Sequence, residues 1–223
     1  MGSNFAERRK QLVDLLMREG IVKKREVIQA MLTVSREDFV PDEVRDSAYE
    51  DRPLPIFDGQ TISAPHMVAM MCEALELEIG QKVLEIGAGS GYHAAVSAEI
   101  VASSGAGHVY SVEIRPKLTE FATKNLARTG YTDRVTVTQG DGSQGLDAHK
   151  PFDRIWVTAA APSIPNLLSD QLSPNGILVI PLGGEYSIQE LVVARKDESG
   201  RLSTQNVCGV AFVPLVGKYG WSH

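Results

Sequence analysis

From Gln81 onward, apolar runs of four to seven residues, rich in β-branched side chains, alternate with stretches of helical spacing. The strand-like runs are "KVLEIG", "HVYSVE", "VTVTQGD", "FDRIWVT" and "GILVIPL", and the helical pieces cover 92–101, 116–129 and 165–172. Within the runs apolar residues do not alternate with polar ones, which is the pattern of strands covered on both faces. A parallel sheet with helices on its two sides provides that cover, so the spacing predicts a doubly wound, Rossmann-like α/β fold. The end of the chain breaks the pattern. "SIQELVVARK", the turn "DESG" and "RLSTQNVCGVAFVPL" give two strands with no helix between them, predicting an antiparallel carboxyl-terminal hairpin and a mostly parallel seven-stranded sheet.

Ahead of the sheet, residues 5–34 carry helical spacing in two pieces that separate near Gly20. Phe5, Leu12, Leu15 and Leu16 mark the first, and Val27, Ile28, Met31 and Leu32 the second, so a helical cap is expected. The segment "FVPDEVRDSAYEDRPLPIFDGQ" holds Pro41, Pro53, Pro55 and Gly59 and reads as extended or looped chain over a surface. With 223 residues, 43% of them hydrophobic, one domain is expected: cap and flap over 1–60, α/β core over 61–223.

The net charge of -6, with Lys and Arg scattered, argues against nucleic acid as a partner. No apolar run reaches the roughly 18 residues of a membrane span, and "MGSNFAERRKQ" lacks the apolar core of a signal peptide. The expectation is a cytoplasmic monomer with no membrane partner. Cys72 and Cys208 have no paired spacing, and His93, His108, His149 and His223 show none of the spacings of a metal site. No metal is expected.

Glu85 to Gly91, "EIGAGSG", ends the first strand and opens a helix. Glycines 87, 89 and 91 let backbone approach a ligand closely. The spacing is GxGxG after an acid, unlike the GxGxxG of dinucleotide sites, and leans towards S-adenosylmethionine. Glu113 ends the second strand, where a carboxylate can accept from both ribose hydroxyls, a role that suits NAD equally. Asp141, in "GDG", can accept from an adenine amine or make an Asx turn. "DGQTISAPHM", 58–67, precedes an apolar stripe of Val68, Met71, Cys72 and Leu75 at helical spacing. Ser63 there can cap the helix that begins near Pro65 or bind a ligand, with Thr61 and His66 beside it.

Together with these motifs, "AYEDRPLPI", "VLEIGAGSGY", "VYSVE", "GDGSQGL", "FDRIWVTAAAPSIPNLLSDQLSPNGILVIPLG" and "FVPLVGKYGW" extend a family likeness over most of the chain. The sequence resembles the protein-L-isoaspartate O-methyltransferases, class I enzymes that use S-adenosyl-L-methionine. The resemblance implies that Glu85, Gly87, Gly89, Gly91, Glu113, Asp141 and Gly142 line the cofactor, and that Ser63 is the active-site serine. It implies a repair function, methylating the free carboxylate of L-isoaspartyl residues in proteins and peptides, with D-aspartyl residues left open. It also implies that the last two strands are interchanged relative to the usual methyltransferase order. A carboxylate of reference pKa ~3.9 is already ionised at pH 7, so such a transfer needs no general base. The loop at Thr61, Ser63 and His66 then serves to hold the acceptor. A small-molecule O-methyltransferase on the same fold is the alternative reading. A base methyltransferase would carry Asn or Asp, two prolines and an aromatic where this chain reads "VTAAAP".

Overall fold

The computed structural model describes residues 4–185 and 187–221; His223 lies outside them. Two helices come first, α1 (Phe5–Arg18) and α2 (Arg25–Thr33). Asn4 caps α1 by accepting from the Glu7 amide at 3.2 Å. Two 3-10 turns follow, Arg36–Asp38 and Asp42–Ser47. The region expected to be extended or looped thus begins with the second of these turns. Its extended part is a two-stranded hairpin, β1 (Leu54–Pro55) against β2 (Thr61–Ile62), leading into α3 (Pro65–Leu75).

Seven further strands and three helices complete the fold: β3 (Lys82–Ile86), α4 (Tyr92–Val101), β4 (His108–Glu113), α5 (Pro116–Arg128), β5 (Val135–Gln139), β6 (Phe152–Val157), α6 (Asn166–Gln171), β7 (Leu172–Leu182), β8 (Gln189–Lys196) and β9 (Leu202–Val210). They build one seven-stranded sheet in the order β5-β4-β3-β6-β7-β8-β9. The first five strands in that order pair parallel, and β8 pairs antiparallel with both β7 and β9. The last two strands thus follow sequence order, and the expected hairpin closes the sheet.

Successive side chains on a strand point to opposite faces, and burial divides by that parity. Val83, Val109, Trp156, Val179 and Val193 join the cluster formed with the helical cap, α3 and α4. Leu84, Val112, Ile155, Val157 and Ile180 form the other cluster, with Leu168 of α6. Both faces of the central strands are covered, which is why β3, β6 and the end of β7 read as apolar runs, whereas the edge strand β5, "VTVTQ", alternates and is only partly buried. Helix α4 is buried along almost its whole length because it lies between the sheet and α2.

The cap shares its core with the sheet: Leu16 and Met31 belong to the same cluster as Trp156. Leu16, fully buried, should therefore destabilise more than the cap when truncated. For Leu16→Ala we expect a loss of about 2 to 5 kcal/mol in one cooperative transition. Denaturation followed by tryptophan fluorescence and by circular dichroism checks this. An early transition confined to helix signal would show that the cap unfolds alone.

Candidate active site

Strands β3, β4 and β5 end on one edge of the sheet, and the turns leaving them meet there. The first is the glycine turn. Gly87, Gly89 and Gly91 all adopt positive φ (94°, 54° and 84°), conformations that side chains resist. At Gly87 an added Cβ would also collide with the Thr158 hydroxyl, which donates to the Gly87 carbonyl at 2.8 Å. Glu113 braces the turn from β4. One carboxylate oxygen accepts from the Gly89 amide at 2.9 Å and the other from the Arg115 amide at 3.0 Å. Each oxygen retains a second lone pair.

A cavity of about 590 Å³ opens over this edge. Gly87, Gly89, Glu113 and Gly142 line it, with Ile86, Val112, Leu118 and Ala159 as apolar walls. Gln60 and Thr61 close one side, and Val213 to Val216 close another. Thr61 also lines two neighbouring recesses. The smaller, about 310 Å³, runs between Ser63 and Glu85, Ala88 and His93. The larger, about 1220 Å³, is lined by Pro53, Ser63, His66, Met67, Thr158 and residues 209–214. Thr61 thus stands where a cavity on the sheet edge meets an open groove, and Ser63 lies on the groove side.

Helix α3 settles how Ser63 is placed. The N-cap is Ala64, with Pro65 opening the helix and no capping bond from its own side chain. Ser63 is not the cap. Asp51 substitutes from the flap, accepting from the His66 amide at 2.9 Å and lying 2.9 Å from His66 Nδ1. The apolar stripe Val68, Met71, Cys72 and Leu75 is buried as its spacing requires.

Three of the expected cofactor residues are placed differently from the sequence reading. Gly91 faces Leu126 of α5 and does not line the cavity; its role is close helix packing. Asp141 spends both oxygens on the protein, accepting from the Ser143 amide and hydroxyl, Gln144 Nε2 and the Lys218 amide. Burial alone would raise its carboxyl, but those bonds outweigh it and hold the group below the usual range. The Asx-turn reading of Asp141 is the observed one, extended to anchor the chain near 218. Glu85 borders the smaller recess, but its carboxyl is fully buried, bonded to Ser111 and accepting from Trp156 Nε1 at 3.2 Å.

Residues 213–216, Thr158 and Asp51 fall within the stretches that carry the family likeness, but neither they nor Leu118 stood out from the sequence as individual site residues. Cys72 is buried with Sγ 3.4 Å from His93 Nε2, and burial pushes its thiol up to about 12. Cys208 is half-buried against Met70, Sγ to Sδ 3.5 Å. Among the described residues no group of three or more His, Cys, Asp or Glu could hold a metal ion. Nor is any helix there long and apolar enough to cross a membrane.

A glycine turn, an acid ending the next strand and a cavity on the carboxyl edge of a parallel sheet define a nucleoside-binding α/β protein. Comparison with known proteins narrows the class. The family model Protein-L-isoaspartate(D-aspartate) O-methyltransferase (PCMT) matches residues 7–220. The protein-L-isoaspartate O-methyltransferase of Hyperthermus butylicus is 58% identical over 97% of this chain and 92% of its own. That of Staphylothermus marinus is 51% identical over 99% of each chain. A beta-aspartate methyltransferase (PCMT) from Plasmodium falciparum in complex with S-adenosyl-L-homocysteine aligns with a TM-score of 0.82 and 30% identity, covering 93% of this chain and 98% of that one. The chain belongs to the protein-L-isoaspartate(D-aspartate) O-methyltransferase family.

Burial raises the Glu85 carboxyl from 4.5 to about 8, against the opposing bonds from Ser111 and Trp156. The folded form therefore holds a proton that the unfolded chain releases near pH 4.5. Its contribution to stability is full below about pH 4.5 and is lost as pH rises through about 8. Glu85→Gln keeps an uncharged group of similar size. We expect the difference in melting temperature, variant minus parent, to increase from pH 5 to pH 8.5 in ligand-free protein. A constant difference would show that Glu85 is ionised in the folded state across that range.

Proposed function

We propose that this chain methylates the free carboxylate of L-isoaspartyl residues in proteins, with S-adenosyl-L-methionine as methyl donor. The observation that supports this reading is the meeting of the edge cavity and the open groove at Thr61, with Ser63 on the groove side. A donor held in one and an acceptor laid in the other would face each other there.

The residues fit the cofactor's chemistry. Bare backbone at Gly87, Gly89 and Gly142 allows close approach, Glu113 has lone pairs to spare for ribose hydroxyls, and the apolar walls suit an adenine ring. Bound there, S-adenosyl-L-methionine supplies an electrophilic methyl group. The chain's own contribution is positioning and exclusion of water, because an ionised carboxylate is already a nucleophile. Ser63 has no hydrogen bond from its hydroxyl among the described residues, although its carbonyl accepts from Arg36. That hydroxyl is available to an acceptor carboxylate. His66, oriented by Asp51, and Thr61 border the same groove. Glu85 and Asp141 act one layer back, the first beneath the glycine turn and the second by fixing Gly142 against the chain near 218.

We also propose that the whole chain acts as one domain, with 1–60 as cap and flap over 61–223, supported by their shared core. A cytoplasmic protein without nucleic-acid partners is supported by the charge of -6 and by two unpaired cysteines.

With labelled donor and paired peptides, label should enter the isoaspartyl peptide and be released as methanol in mild base. Label that survives base, or that prefers a phenol, would overturn the reading. Ser63→Ala should lower kcat/KM for the isoaspartyl peptide about 10- to 150-fold, the loss of one bond to a charged group, with S-adenosylhomocysteine affinity nearly unchanged. Glu113→Gln should do the reverse in calorimetry, weakening S-adenosylhomocysteine by about 1.5 to 3 kcal/mol. Equal affinity in parent and variant would remove Glu113 from the site.

A further inference from the structure

Arg36 lies in the first 3-10 turn after the cap and is fully buried. No carboxylate is hydrogen-bonded to its guanidinium among the described residues. Nε donates to the Ala48 carbonyl at 2.8 Å, Nη2 donates to the Ser63 carbonyl at 2.8 Å, and Nη1 has no partner. The guanidinium carbon sits 4.9 Å from the centre of the Tyr92 ring. Burial lowers the group's affinity for its proton, and the charge of Asp51, which is not hydrogen-bonded to it, offsets this only in part. An apolar side chain would fill the volume without that penalty, so the contacts call for an explanation.

Two of those contacts belong to the site. Ser63 carries the hydroxyl proposed to hold the acceptor, and Tyr92 is the residue after Gly91, opening α4 beneath the glycine turn. The acceptor loop is otherwise lightly held. Its ladder with β1 has two residue pairs and ends at Ile62, and the Ser63 carbonyl precedes α3, so it has no place in the helical hydrogen-bond series. A donor fixed on that carbonyl restricts rotation about the Cα–C bond of Ser63, and with it the direction of the side chain. The guanidinium also rests on the ring that follows the glycine turn, so it relates the two halves of the site.

We propose that Arg36 is a positioning residue for methyl transfer, joining the acceptor loop through the Ser63 carbonyl to the cofactor side through Tyr92. This rests on the reading of Ser63 as the acceptor-binding residue. Lysine cannot replace it, since one ammonium lacks the planar fork that reaches Ala48 and Ser63 while stacking on an aromatic face.

The test uses Arg36→Lys and Arg36→Met in the full chain, with Arg154→Met as a control. Arg154 is also buried and also holds backbone carbonyls, those of Leu75 and Glu76, but at the far end of α3. Both Arg36 variants should lose about 10- to 100-fold in kcat/KM for an isoaspartyl peptide, with S-adenosylhomocysteine affinity within about 2-fold of parent. The control should lose melting temperature without that selective loss. Hydrogen exchange should quicken at the amides of 61–64 and stay unchanged at 87–91, a readout independent of turnover. Should neither Arg36 variant fold, Tyr92→Leu removes the stacking face and should give the same peptide-selective pattern in weaker form. Unchanged peptide kinetics, a parallel fall in S-adenosylhomocysteine affinity, or unchanged exchange at 61–64 overturns the proposal. A parent that never methylates the peptide refutes the functional reading instead, and the exchange result still decides the placement of Arg36.

Discussion

Burial of a parallel sheet on both faces determines where anything else in this molecule can happen. Trp156, Val83 and Val109 face one cluster while Leu84, Val112 and Ile155 face the other, so neither face is free to receive a ligand. What stays open is the edge where β3, β4 and β5 end together. Backbone groups there have left the ladder and need other partners. Glu113 satisfies the Gly89 amide, Asp141 the amides of Ser143 and Lys218, and Asp51 the first turn of α3. The carboxylates of this edge first solve a structural problem, and only those with capacity to spare are free to accept from a ligand.

That distinction separates acids that the sequence presents as equivalents. Glu85, Glu113 and Asp141 all stand at strand ends, but their surroundings differ. Glu85 is sealed under the glycine turn, where low polarity favours its neutral form. Asp141 is engaged by four donors from two segments of chain, a setting that favours the anion. Glu113 alone of the three faces the larger cavity on this edge with lone pairs unused.

Much of the fold was legible because it is written in local periodicity. Helix 92–101 and strand 108–113 fall where the pattern put them, and 116–128 differs from the expected helix by one residue. Strand β7 begins at Leu172, ahead of the expected "GILVIPL", because chain around Pro174 and Asn175 pairs irregularly with β6. The 3-10 turns of the flap were hidden by prolines that signal interruption without saying what replaces the helix. In the site, Gly87, Gly89, Thr61 and Ser63 stood out because their residue types are unusual for a plain turn. Arg36 did not, and "FVPLVGKYGW" stood out only as part of the family likeness, since their contacts reach 27 and 77 residues along the sequence. No local pattern marks a partner at that distance. The exchange of roles between Ser63 and Ala64 at the start of α3 was equally invisible, because a cap can be supplied by Asp51 from another segment.

On the proposed function, donor and acceptor occupy separate spaces that meet at Thr61, with Ser63 on the acceptor side. A crystal structure of this protein with S-adenosylhomocysteine and an isoaspartyl peptide tests it most directly. The nucleoside should lie between Glu113, Leu118 and Gly142, the sulfur end at Thr61, and the isoaspartyl carboxylate on the Ser63 side of the groove. A peptide bound with its carboxylate remote from Ser63, or a nucleoside outside the cavity beside Glu113, would contradict it.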